Sequence, residues 1–325
     1  MPLPLLWMVI LITSLHPRLC TGAESTPFLV FEGLANASAA IPIGSNRFIA
    51  GCDKDNVLKL YEVGARQPVS RFETSPWLGL QTRNGEADFE GAARIGDVAF
   101  WIGSHGRNGS GDGRPDRQRL LAFRIVTQDG KDSLELLGQP VRSLLEDLLA
   151  EPRLEPLDLR TASARAPGQG GLNIEGLAEG DGHSLILGLR GPLHHGRAVL
   201  IPLLNPLDRI NGKTARLGDP IFLDLGGRGI RDLARVDTDL YILAGSPDGG
   251  GKTQLHRWGG TGTDPVRVET PKLKGLNPEA LVVLGAGQDR RLLVLSDDGN
   301  LASNRNPESV SRTFRAVVVP IPDPR

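Results

Sequence analysis

The chain has 325 residues, 39% of them hydrophobic, with 41 glycines, 24 prolines and a formal net charge of −1. That length and apolar content support a sizeable core, and the density of turn formers favours short strands over long helices. Interspersed acids and bases in near balance exclude the electrostatic footprint of a binder of nucleic acid or anionic membrane, so neither partner is expected.

The chain opens on an apolar run from Leu3 to Leu15, followed by small residues at Thr21-Gly22-Ala23. This reads as a signal peptide over residues 1–23. The run is shorter than the roughly 20 residues that span a bilayer, so the mature protein is expected to be secreted or periplasmic with no membrane span. Residues 24–325 then form a single domain in which Cys52 is the only cysteine, and no intrachain disulfide can form. Cys52 follows the strand-like Phe48-Ile49-Ala50-Gly51 and reads as a small buried apolar side chain.

Thr26 to Phe31 is strand-like, and after it one pattern occurs five times. Each occurrence is a strand start with a polar or charged residue at a fixed place, followed by small or apolar residues: Ser38-Ala39-Ala40, Glu90-Gly91-Ala92, Glu175-Gly176-Leu177, Arg231-Asp232-Leu233 and Glu279-Ala280-Leu281. Each start leads into two further apolar runs separated by Gly- and Asp-rich turns, the signature of an antiparallel meander. Repetition on this scale predicts an all-β, five-bladed β-propeller in which no blade buries its faces alone. The interval from 90 to 175 is the longest and contains Val141, Leu144, Leu145, Leu148 and Leu149 at helical spacing. A short inserted helix near residues 140–150, opened by Pro140, accounts for the extra length; a six-bladed ring is the alternative. The last unit has three strands, so Thr26 to Phe31 is expected to supply the fourth and close the ring, which removes exposed sheet edges.

In such a ring the first strand of each blade lines the central channel, and crowding there explains the Gly and Ala after the polar position. The start of the first strand and the end of the second share one face of the disc. Glu90, Glu175, Asp232 and Glu279 therefore converge at one channel mouth, and the loops leaving the second strands bring Asp53, Lys54, His105, Arg107, Asn108, Arg190, His194 and His195 to the same rim, with Arg231 beside them. Crowded carboxylates are costly unless protonated or neutralised by a cation. The four acids are thus candidate ligands for a hard cation, calcium or magnesium. His105, Arg107, Asn108, Arg190, His194, His195 and Arg231 are candidate contacts for the rest of a ligand. The competing reading gives the glutamates to hydrogen bonds that pin neighbouring blades together.

Motifs of zinc proteases, α/β-hydrolases and structural zinc sites are absent from the sequence. Gly245 to Thr253 approximates a phosphate-binding loop, but its glycine spacing is wrong and a strand rather than a helix follows.

Ser38-Ala39-Ala40, Asp53 to Tyr61, Asp88-Phe89-Glu90-Gly91-Ala92 and Asn173 to Ala178 resemble a bacterial family known as domain of unknown function 3616, across nearly the whole mature chain. That resemblance supports the architecture and implies no activity. The Glu-Gly starts are more distantly similar to phytase-like, esterase-like and gluconolactonase-type propellers, in which an acid near a strand start can ligate a divalent metal. This similarity implies a metal role for Glu90, Glu175 and Glu279, while Ser38 and Arg231 break the acidic ring. The expected function is ligand binding at the carboxylate-rich mouth with a divalent cation. The alternatives are a metal-dependent hydrolase of an ester, phosphoester or lactone, and a non-catalytic protein-interaction platform.

Overall fold

The computed structural model describes residues 28–82, 85–270, 273–305 and 312–321; the signal sequence read at 1–23 lies outside them. The first described strand is β1 (Leu29–Glu32). Blade one then follows as β2 (Ala39–Ile43), β3 (Arg47–Gly51), β4 (Val57–Glu62) and β5 (Ser70–Glu73), and blade two as β6 (Phe89–Ile95), β7 (Val98–Gly103), β8 (Leu120–Gln128) and β9 (Lys131–Val141). Blade three is β10 (Asn173–Glu179), β11 (Leu185–His194), β12 (Arg197–Leu203) and β13 (Ile221–Leu223). Blade four is β14 (Gly229–Val236), β15 (Asp239–Gly245), β16 (Gln254–Trp258) and β17 (Val266–Val268). Blade five consists of β18 (Pro278–Leu284), β19 (Arg291–Ser296), β20 (Thr313–Pro320) and, from the other end of the chain, β1.

Successive inner strands β2, β6, β10, β14 and β18 touch, and β18 touches β2. The five antiparallel sheets thus form a five-bladed propeller, and the six-bladed alternative does not hold. Closure follows the sequence expectation: Leu29 to Glu32 pair with Ala316 to Thr313. An aromatic cluster holds this seam, with Phe31 stacked on Phe314 at 5.1 Å and edge-on to Phe48 at 5.2 Å. Tyr61 completes the cluster and donates its hydroxyl to the Glu32 carbonyl at 2.8 Å. Such ring pairs add to the burial of the rings themselves, so joining the two chain ends is favoured by both packing and pairing.

The long interval in the repeat needs one correction. Pro140 does not open a helix; it lies in β9, the outermost strand of blade two. The pairing of β9 with β8 slips between Leu120 and Ala122, and a proline, which has no N–H to give, is tolerated at such an edge irregularity. The helix itself spans Leu144–Ala150. Its Leu144 and Leu148 are buried in the core shared by blades two and three, and Asp147 accepts from Arg209 Nε at 2.6 Å.

Close approach between blades explains the small residues of the repeat. A Cβ added to Gly176 would lie 2.7 Å from Ile230 of the next blade, and one added to Gly91 would lie 3.1 Å from the Glu175 carbonyl oxygen. Among the described residues no helix is long and apolar enough to cross a membrane.

Candidate functional site at the channel mouth

A defect in strand pairing fixes the ring position of each inner strand. In four blades the register skips one residue, so Glu90, Glu175, Arg231 and Glu279 bulge out of the pairing with the second strand. In blade one Ala39 pairs with Gly51, and the Ser38 N–H also reaches the Gly51 carbonyl at 3.2 Å. Ser38 therefore stands at the matching place. Bulges re-aim a side chain by giving up a ladder bond, and here the same irregularity recurs around one end of the channel. Two residues upstream stand Asn36, Asp88, Asn173, Gly229 and Asn277. The ends of the second strands contribute a further layer: Asp53, Ser104, Arg190, Gly245 and Asp297.

One half of this mouth is neutralised by arginine. Arg190 Nη1 donates to Glu175 Oε1 at 2.5 Å, and Asn173 Nδ2 donates to the same oxygen at 2.8 Å. Arg231 Nη2 pairs with Glu279 while its Nε stands 3.8 Å from Glu175 Oε2. Gly245 is needed beneath Arg231, because an added Cβ would lie 2.6 Å from the arginine Cδ. Asn277 supports Glu279 at 3.4 Å and Asp297 at 3.3 Å.

The other half is acidic. Asp53, Asp88 and Glu90 each present one carboxylate oxygen, and these three atoms lie within 4.8 Å of one another. Asp88 is buried and Glu90 half-buried. Two cations flank the trio: Lys54 Nζ lies 2.5 Å from Asp53 Oδ2, and Arg117 Nη1 lies 3.0 Å from Asp88. Glu90 forms no ion pair among the described residues, and the buried Asp53 Oδ1 has no hydrogen-bond partner. Burial first, then the charges of Asp88, Glu175 and Asp53, push the Glu90 carboxyl well above the usual range; Arg231 opposes them. Burial raises Asp88 to about 6 against the pull of Arg117.

The contrast between blades is chemical. In blades three and five the residue two before the bulge is an asparagine whose amide donates to the bulge glutamate. In blade two that residue is Asp88, which has no amide to give. Two carboxylates then share a buried space, an arrangement that a proton or a hard cation resolves.

The other residues singled out in the sequence are placed elsewhere. Asp232 sits one residue past the bulge and accepts the Leu281 N–H. His105 is buried, with Nδ1 at 2.9 Å from the Gly103 carbonyl, and burial pushes its pKa down to about 4, leaving it neutral. Arg107 donates to the carbonyls of Ser163 and Gly111, and Asn108 caps its own turn with Ser110 and Asp112. His194 and His195 pack on each other at 4.2 Å, and His194 packs on Phe222 of the outer strand β13 at 4.6 Å. Of the seven candidate ligand contacts, the structure brings only Arg190 and Arg231 together with the glutamates. Asp53, which the sequence puts on the rim but not among the metal ligands, and Asp88, which it does not single out, join Glu90 instead. The readable signal was Asp88-Phe89-Glu90 standing where two other units have Asn-x-Glu.

Beside Asp53 a polar cavity of about 380 Å³ opens between blades one and five, bordered by Asn36, Lys54, Asp297, Asn300 and Arg305. The glycine-rich segment after Gly245 is a hairpin turn leading into β16, so it has no helix terminus to offer a phosphate.

Fold and site define a five-bladed β-propeller with a charged channel mouth. A model of the family described as "Protein of unknown function (DUF3616)" matches residues 142–296, and the resemblance read from the sequence holds across blades three and four and into blade five. No curated protein matches the chain. Among solved structures, the PQQ-bound aldose sugar dehydrogenase from Streptomyces coelicolor is 12% identical, with 90% of this chain and 99% of that one covered and a TM-score of 0.41. Glutaminyl cyclase from Myxococcus xanthus is 12% identical over 90% of this chain and 96% of its own, with a TM-score of 0.44. At these identities and scores neither carries an argument about what this chain does.

Proposed function

We propose that the channel mouth binds a divalent cation, calcium or magnesium, through Asp53, Asp88 and Glu90, and that the cation helps to hold a ligand in the adjoining polar cavity of an exported protein. The observation that carries this reading is the Asp88–Glu90 pair, an acid where the equivalent blades use an amide donor. Three hard oxygen donors suit either ion and leave coordination positions for a ligand and water. Ligand binding is preferred over hydrolysis because neither His105 nor the His194–His195 pair belongs to the acidic cluster. The test combines metal analysis of the purified protein with melting after chelation and after adding calcium or magnesium. Wild-type protein should melt at higher temperature with the cation. Asp88→Asn, which restores the amide, should melt at higher temperature than wild type without metal and lose its response to it. Metal analysis that finds nothing, together with melting indifferent to both ions, would sink the reading.

A further inference from the structure

The opposite end of the channel holds a second cavity, of about 310 Å³, lined by all five inner strands. Four residues beyond the bulge positions the strands present Pro42, Arg94, Glu179, Arg235 and Val283, and two residues beyond them they present Ala40, Ala92, Leu177, Leu233 and Leu281. An apolar ring therefore separates this cavity from the acidic mouth, and its outer rim carries three charges. The alanines leave open a space that larger side chains would fill. A cavity of roughly 150 Å³ is already enough for benzene.

The three rim charges are not equally satisfied. Arg235 Nη2 lies 2.7 Å from Asp181. Arg94 donates only to main-chain carbonyls, those of Gly96 at 2.7 Å and Pro42 at 3.1 Å, and among the described residues it forms no ion pair. Glu179 forms none either. One guanidinium and one carboxylate thus border a small cavity, apolar at its floor and polar at its rim, without a charged partner.

We propose that this cavity binds a small zwitterion with an apolar body, the chemistry of a free apolar α-amino acid. Its carboxylate would meet Arg94, its ammonium Glu179, and its side chain the apolar ring at Ala40, Ala92 and Leu281. A simple carboxylate would face Glu179 as a like charge and a simple amine would face Arg94, whereas a molecule carrying both groups complements the rim. The apolar ring supplies the body's burial, and a few convergent polar groups fix its orientation.

Isothermal titration of wild-type protein with L-leucine, 4-methylpentanoate and 3-methylbutylamine tests this directly. Saturable binding of leucine is expected. Both truncated analogues should bind about ten- to a hundredfold more weakly, as should leucine to Glu179→Gln and to Arg94→Gln. Arg94→Lys, which keeps the charge, separates loss of the ligand from loss of the Pro42 contact and should retain part of the affinity. Chelator should leave leucine binding unchanged, which distinguishes this cavity from the cation site. Absence of saturable binding, binding of the carboxylate alone as tight as that of leucine, or binding undiminished in Glu179→Gln would each overturn the proposal.

Discussion

Asp232 of blade four accepts a hydrogen bond at 2.6 Å from the main-chain N–H of Leu281 in blade five. Its counterparts in register are Gly91, Gly176 and Ala280, where bare or nearly bare backbone packs against a neighbouring blade. At this place in the inner strands, one blade junction is thus spanned by a side-chain hydrogen bond where others rely on close contact. The sequence groups Asp232 with the metal-binding acids; the structure gives one of its oxygens to a clamp between blades. Burial pushes its carboxyl well above the usual range.

Removing that clamp should destabilise the ring. Asp232→Ala strands the Leu281 N–H in the interior, and an unsatisfied buried donor costs about 1–3 kcal/mol. Asp232→Asn keeps an acceptor of the same shape and should lose less. Urea unfolding of both variants measures the difference, and equal stability of the alanine variant and wild type would show that the bond contributes nothing.

Arg231 should matter more. It is 7% exposed and faces both Glu175 and Glu279, so Arg231→Met leaves the half-buried Glu279 without an ion pair and Glu175 with Arg190 alone. Breaking a buried pair from one side costs about 3–5 kcal/mol. Adding Glu279→Gln to that variant should recover part of the loss, because Glu279 has no other ion pair among the described residues whereas Glu175 keeps Arg190. Chemical unfolding of the single and double variants decides it; a double variant less stable than the single would contradict this account.

A pH dependence follows from Asp88, raised by burial to about 6 from an unfolded value of about 3.9. A carboxyl with a raised pKa holds its proton more tightly when folded. In metal-free protein its contribution to stability therefore falls as pH rises from about 4 to about 6 and is constant above. The ionised form is the one that ligates a cation, so the rise in melting temperature on adding calcium should grow over the same window. Asp88→Asn should flatten this component. Melting scans at stepped pH, with calcium and with chelator, measure it; a calcium response as large at the acid end as at neutrality would contradict it.

The five units were legible in the sequence because each is a local antiparallel meander whose turns and apolar runs recur within one stretch of chain. Even the closing strand could be anticipated, since a three-stranded last unit and an apolar segment before the first leave one economical solution. Pro140 reads as a helix opener because local spacing alone cannot tell a helix start from an edge strand whose slipped register tolerates proline. At the mouth, the ring position was readable but its chemistry was not. The repeat gives Glu90, Glu175 and Glu279 one label, although Arg190 and Arg231 neutralise the last two and leave the first beside Asp53 and Asp88.

The amino-acid sequence by itself determined the repeated meander, the placement of its inner strands and the crowding that demands small residues there, because alternation and turn chemistry act between near neighbours; ring closure in the structure decided for five blades over six. Only the tertiary structure decided which charges meet. Asp53 and Asp88 are 35 residues apart and belong to different blades, while Arg231 and Glu279 are separated by 48 residues. Coulomb interactions depend on distance in space, and only ring closure, with its repeated bulge, brings these groups to one end of a channel and sorts them into a neutralised half and an acidic one.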